Sequence, residues 1–203
     1  MASLHLIPQD ISAAPSYSEP WEVHEWRNAC AVLKEAHKSE WADVLALLRN
    51  FKLRKSAIVA KGGGKSPISK EIESQLYSRA WREEHFETSI VVDGAASRSP
   101  THKVDCFKAG VALEIEWNNK DPFYDRDLNN FRLLFELRVI EVGIIITRCD
   151  DLQAIFNELG KGKSYGASTT HMGKLLPKVD GGGAGGCPVV VFGITSRLYE
   201  EDI

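Results

Sequence analysis

No apolar run in the chain approaches the roughly 18 residues that a membrane-crossing helix needs, so no segment reads as a membrane span. Residues 1–20 lack a basic stretch followed by an apolar one and do not read as a secretory signal. Cysteine is scarce: Cys30, Cys106, Cys149 and Cys187 are scattered, with no C-x-x-C pair. That pattern speaks against a zinc site or a disulfide framework and for a reducing cytoplasm. An excess of positive charge is also missing, the formal net charge being −3. Phosphate binding, however, depends on where Lys and Arg lie rather than on their total, and a site for divalent cations needs carboxylates of its own. Internal repeats are absent too. What remains is an ordinary globular composition, 43% hydrophobic and 26% charged, in 203 residues. That length suits one domain, or one domain with a small appendage, and is enough to bury a core.

The first residues, with Pro8 and Pro15, read as loop. Ser18 is a candidate N-cap and Pro20 suits a first helical turn, so a helix is expected through Trp21, Val23, Trp26, Cys30 and Leu33. A second helix is expected from Ser39, with Trp41, Val44, Leu45 and Leu48 on one face. These two helices, within an N-terminal helical part spanning 1–60, offer either core or a surface for dimerisation. Lys61-Gly62-Gly63-Gly64-Lys65-Ser66-Pro67 ends in G-K-S, but Val59 stands where a P-loop needs its first glycine. The segment reads as a linker, or as a loop whose Lys61 and Lys65 close over a phosphate backbone.

A helix is expected over Ser69–Trp81, a short strand over Ser89–Asp93, and a turn-rich loop over Gly94–Pro100. Lys103–Phe107 and Gly110–Trp117 read as an antiparallel pair around Lys108-Ala109-Gly110. Asp127–Arg138 and Asp150–Leu159 read as helices, and the apolar run Glu141–Thr147 as a strand buried on both faces. A Gly-, Lys- and Ser-rich stretch runs to Thr170, followed by a short helix to about Leu176. Gly181–Gly186 is a loop, and Cys187–Ile194 a closing strand. The expected fold is a single α/β domain with a central mixed sheet flanked by helices, residues 61–203 carrying the working part.

Asp105-x8-Glu114-Ile115-Glu116 is the segment that carries chemistry. Strand residues two apart share a face, so Glu114 and Glu116 lie side by side, and the hairpin brings Asp105 against them. Converging carboxylates repel one another. A hard divalent cation explains such a set, because it takes oxygen ligands. The plainer alternative is a solvated polar face opposite Val111, Leu113, Ile115 and Trp117. With Mg²⁺ bound, such a site would polarise a phosphodiester and lower the pKa of a bound water. Asp105, Glu114 and the backbone carbonyl of Ile115 would hold the metal, with Glu116 facing the water.

Asp-x8-Glu-x-Glu followed by Asn118, Asn119, Pro122 and Phe123 resembles the core of the BglII/BstYI restriction endonucleases, within the PD-(D/E)XK nuclease superfamily. The likeness extends upstream to Leu76-x4-Trp81 and downstream to Gly162-Lys163-Ser164-Tyr165 and Pro188–Ile194, covering about residues 65–195. Glu116 departs from the Gln of the nearer relatives and is similar to the BamHI arrangement. The resemblance implies a restriction-endonuclease-like fold and a type II enzyme of a bacterial or archaeal cytoplasm. It also implies a homodimer on double-stranded DNA, making Mg²⁺-dependent cuts at a short palindrome. A polar residue from the preceding helix joins the metal site in that family, and Ser69 or Glu73 would supply it here. The family also reads bases with the segment Lys161–His171, which makes Lys163, Ser164, Tyr165, Ser168, Thr169, Thr170 and His171 candidate DNA contacts. Lysines neutralise phosphates and hydroxyls reach base edges. Arg98, Lys103 and Lys108 flank the hairpin as further phosphate contacts. A repair or structure-specific nuclease and a catalytically inactive DNA-binding module are the competing readings.

Overall fold

Trp21-Glu22-Val23-His24-Glu25-Trp26 forms a strand, not a helix, in the computed structural model, which describes residues 20–61, 64–99 and 101–203. Trp21 and Val23 alternate with Glu22 and His24, and a period of two suits a pleat better than a helical turn. This strand, β1 (Trp21–Trp26), pairs antiparallel with the closing strand, from Trp21 opposite Ile194 to Trp26 opposite Val189. Tertiary pairing thus overrides the weak helical spacing. Arg27 and Asn28, both at φ 57, turn the chain into α1 (Ala29–Ala36). The proposed cap Ser18 and the loop before it lie outside the described residues.

Next come α2 (Lys38–Asn50), the short β2 (Leu53–Arg54) and α3 (Lys55–Val59). After the glycine-rich loop, of which Gly62 and Gly63 lie outside the described residues, α4 (Pro67–Tyr77) begins. Ser66 caps it, its hydroxyl accepting from the Ser69 amide at 2.9 Å, and Pro67 fills the first turn. Two short strands follow, β3 (Arg82–Glu84) and β4 (Thr88–Val92). The stretch expected to be loop after Gly94 is instead β5 (Ala95–Ser99), hairpinned to β4 through Asp93 and Gly94 at positive φ.

The central hairpin is β6 (Val104–Lys108) and β7 (Val111–Glu116), joined by Ala109 at φ 45 and Gly110 at φ 83, a turn that glycine makes easily. Then follow α5 (Pro122–Glu136), β8 (Val142–Arg148), α6 (Leu152–Glu158), α7 (Met172–Asp180) and β9 (Val189–Ile194). A 3₁₀ turn at Ser196–Leu198 leads to β10 (Tyr199–Glu200), which pairs with β2.

Six strands form one sheet in the order β1-β9-β8-β7-β6-β3. Its centre, β7-β8-β9, is parallel and its edges antiparallel. The parallel strands are buried along their whole length because helices cover both faces. One face packs on α1, α2, α3, α4 and α6, the other on α5 and α7. Gly143 permits the second packing: a Cβ there would drive into the Phe131 ring of α5. Residues 21–58 contribute to the same core as the sheet. Trp21 donates to the Leu48 carbonyl and Trp41 lies 6.3 Å from the Phe192 ring, so both tryptophans are part of the chain's own core. The four cysteines are free and buried, and among the described residues no helix is long and apolar enough to cross a membrane.

Candidate active site

Asp105 and Glu114 interlock at the open end of the β6–β7 hairpin. Asp105 Oδ2 accepts from the Ile115 amide at 3.0 Å, and Glu114 Oε2 accepts from the Asp105 amide at 3.2 Å. Each carboxylate thus takes a backbone donor from the facing strand. Glu114 is 1% exposed, and its Oε1 has no hydrogen-bond partner. Burial, then the nearby Asp127 and Asp105 carboxylates, hold its carboxyl well above the ordinary range.

Glu116 is equally buried, so the two glutamates do not lie on a solvated face: Asp127 and Tyr124 of α5 stand beside them, while Asp105 stays half-buried. Glu116 Oε2 accepts from Asn119 Nδ2 at 2.9 Å, and its Oε1 lies 3.5 Å from Arg126. Burial and Asp127 push its carboxyl up to about 9. Asp127, fully buried and raised by that burial, is the fourth acid of the cluster. It takes a two-pronged bond from Arg126, at 3.0 and 2.9 Å. Sequence reading placed Asp127 only at a helix start, since no spacing ties α5 to the hairpin.

Helix α4 brings the remaining oxygen donors. Ser69 and Glu73 are both 6% exposed. The Ser69 hydroxyl is 2.9 Å from that of Ser66, and Glu73 forms an ion pair with Lys65. The same ammonium stands 3.9 Å from Asp105 Oδ1. A cleft of about 670 Å³ opens here, lined by Lys61, Lys65, Ser69, Asp105, Glu116 and Arg126 among others.

Among the described residues no group of three or more His, Cys, Asp or Glu side chains is arranged to hold a metal ion as it stands. Backbone amides, Asn119, Arg126 and Lys65 stand against several of the carboxylate oxygens. The donor set nevertheless fits a hard divalent cation. It is all oxygen, it leaves Glu114 Oε1 unpartnered, and it already draws one tethered cation, Lys65, between Glu73 and Asp105. Lys65 and a metal would compete for that position.

The remaining candidates are dispersed. Arg98 is exposed on the β4–β5 hairpin and lines a separate hollow. Lys103 pairs with Glu83 at 2.8 Å, and Lys108 pairs with Asp43 at 2.7 Å and donates to the Arg79 carbonyl. Lys163, Ser164 and Ser168 are exposed on the loop between α6 and α7. Tyr165 and Thr170, expected beside them at the surface, are buried. Tyr165 stacks on Phe156 with ring centroids 4.2 Å apart, and the Thr170 hydroxyl lies 3.3 Å from the Glu116 carbonyl. Thr169 bonds Arg148 and its own loop, and His171 pairs with Asp150 at 2.6 Å. Arg148, 1% exposed at the end of β8, was invisible to sequence reading because arginine is rarely buried.

The chain matches the family model described as Restriction endonuclease BglII/BglIII over residues 21–194. A comparison with individual curated proteins finds no match.

Proposed function

The chain belongs to the restriction endonuclease BglII/BglIII family, and we propose that it acts as a magnesium-dependent homodimer cutting both strands of a short palindromic DNA site. It is a type II restriction endonuclease, a DNA phosphodiester hydrolase of a metal-dependent family. The observation that carries the magnesium reading is the convergence of half-buried Asp105 with buried Glu114 and Glu116, Asp105 and Glu116 lining the cleft, with Glu73 and Lys65 beside them.

Asp105, Glu114 and the Ile115 carbonyl would hold the metal, and Ser69 or Glu73 would add an oxygen from α4. Bound there, Mg²⁺ would supply Lewis acidity toward the scissile phosphate and lower the pKa of a coordinated water. The chain's own residues do the rest. Arg126 holds Asp127 through its two-pronged bond and leaves an edge toward the cleft, where a phosphate oxygen would sit. Glu116, oriented by Asn119, faces the attacking water. Lys65, released from Glu73 and Asp105, joins Lys61 in neutralising the DNA backbone. Lys163, Ser164 and Ser168 meet the bases and phosphates, with Arg98 and Lys103 on the flank. Thr169, Thr170, Tyr165 and His171 hold that loop in shape. The enzyme works in the cytoplasm of a bacterium or archaeon.

Sequencing the ends of plasmid fragments made with Mg²⁺ tests the reading. One short palindrome recurring at every end is the expected result. Ends at flaps or nicks alone would instead favour a structure-specific nuclease.

A further inference from the structure

The loop between α6 and α7 is fastened at two adjacent residues, and the two fastenings lead to different strands. Thr169 accepts from Arg148 at 3.0 Å, and the same guanidinium donates to the Tyr165 carbonyl at 3.0 Å, which ties the loop to the end of β8. Thr170 ties it to the end of β7. The Thr170 amide donates to the Asn119 carbonyl at 2.8 Å, and the Asn119 amide donates to the Thr170 hydroxyl at 3.2 Å. Lys120 and Thr169 add a β-bridge beside them. Asn119, clasped in this way, presents Nδ2 to Glu116 Oε2 at 2.9 Å. The Thr170 hydroxyl also lies within 3.3 Å of the Glu116 carbonyl.

The bend that makes this arrangement accessible is at Asn118, whose φ of 60 breaks β7 just after Glu116. Beyond the break the chain has no ladder to follow. Its placement rests on Thr170, which is fully buried and in contact with no solvent. Asn119 therefore cannot hold Glu116 unless the loop is seated. The exposed side chains Ser164 and Ser168 belong to that same loop, the latter two positions from Thr170.

We propose that Thr170 and Asn119 are positioning residues that couple DNA reading to cleavage. Seating of loop 161–171 on the correct bases fixes Asn119, and Asn119 fixes the Glu116 carboxylate. On a wrong sequence the loop sits imperfectly, Asn119 shifts, and Glu116 loses its orienting donor. Discrimination then arises in the chemical step as well as in binding. This rests on the reading of loop 161–171 as the base-reading element of a site-specific nuclease.

The test measures single-turnover cleavage of a cognate duplex and of a duplex with one altered base pair, alongside binding without metal. The variants are Asn119→Ala, Thr170→Val and Thr170→Ser. Asn119→Ala and Thr170→Val should lower the cognate cleavage rate by about 10- to 100-fold, the usual cost of losing an orienting partner. Cleavage of the altered duplex should fall by a much smaller factor than cleavage of the cognate one, so discrimination falls. Thr170→Ser, which keeps the hydroxyl, should restore both. Equal losses on the two duplexes, or no loss, would overturn the coupling. If Thr170→Val does not fold, as judged by its melting curve, the half-buried Asn119→Ala decides alone. A wild-type protein that cuts both duplexes equally would sink the underlying site-specific reading, and that result is separable because it needs no variant.

Discussion

The raised carboxyls of Glu114 and Glu116 make stability depend on pH. Burial and neighbouring acids raise both carboxyls, Glu116 to about 9. A group whose folded pKa exceeds its unfolded one binds more protons folded than unfolded. Its stabilising contribution is complete below the ordinary carboxylate value of 4.5 and is lost as pH rises through about 9. His102 and His171 shift the other way, both lowered chiefly by burial, so their contributions are complete above their ordinary 6.5. Between pH 7 and about 9 the raised acids, joined toward the upper end by the four buried thiols, lower stability as pH rises. In chelator, the melting temperature should fall across that window, and Glu116→Gln should flatten the fall. A wild-type protein melting higher at the alkaline end would contradict the assigned burial of these carboxyls. Metal binding, which requires the ionised acids, should reverse the trend.

At the scale of elements, the hairpin, the central strands and the closing strand were legible because hydrophobic runs and turn residues agree there. Glu141–Thr147 predicts the strand found at Val142–Arg148, and Lys108-Ala109-Gly110 the turn between β6 and β7. The strand β1 was not legible, since Trp21, Val23 and Trp26 fit a helix loosely and only the free edge of β9 selects the pleat. Nor was the depth of the acids, because α5 arrives from elsewhere in the chain to stand beside them. The α6–α7 loop shows the same limit: composition marks it as a polar surface segment, yet its second half is anchored inside. Its exposed part makes a distinct prediction. Alanine at Ser164 or Ser168 should cost about 1–3 kcal/mol per lost base contact and relax one position of the recognised sequence. Lys163→Ala should weaken all sequences alike and reduce the slope of log affinity against log salt by about 1. Binding titrations over a salt series check both, and unchanged slope with altered sequence preference at Lys163 would reverse the assignment.

At the scale of the whole molecule, a duplex presents its strands with opposite polarity, and two cuts at a palindrome call for two sites related by a twofold axis. Of the tryptophans that suggest a pairing surface, Trp21 and Trp41 are buried within the chain and Trp26 is half-buried, so the proposal of a dimer rests on this chemistry. Each subunit of the proposed dimer would carry one set of Asp105, Glu114 and Glu116, and each set would cut one strand. Co-expression of differently tagged wild-type and Asp105→Asn chains, followed by purification of the mixed species, tests that claim on supercoiled plasmid. With Mg²⁺, wild type should give linear DNA, Asp105→Asn alone neither nicked nor linear DNA although it still binds, and the mixed dimer nicked circles. Linear product from the Asp105→Asn protein, or the absence of any mixed species, would contradict the account.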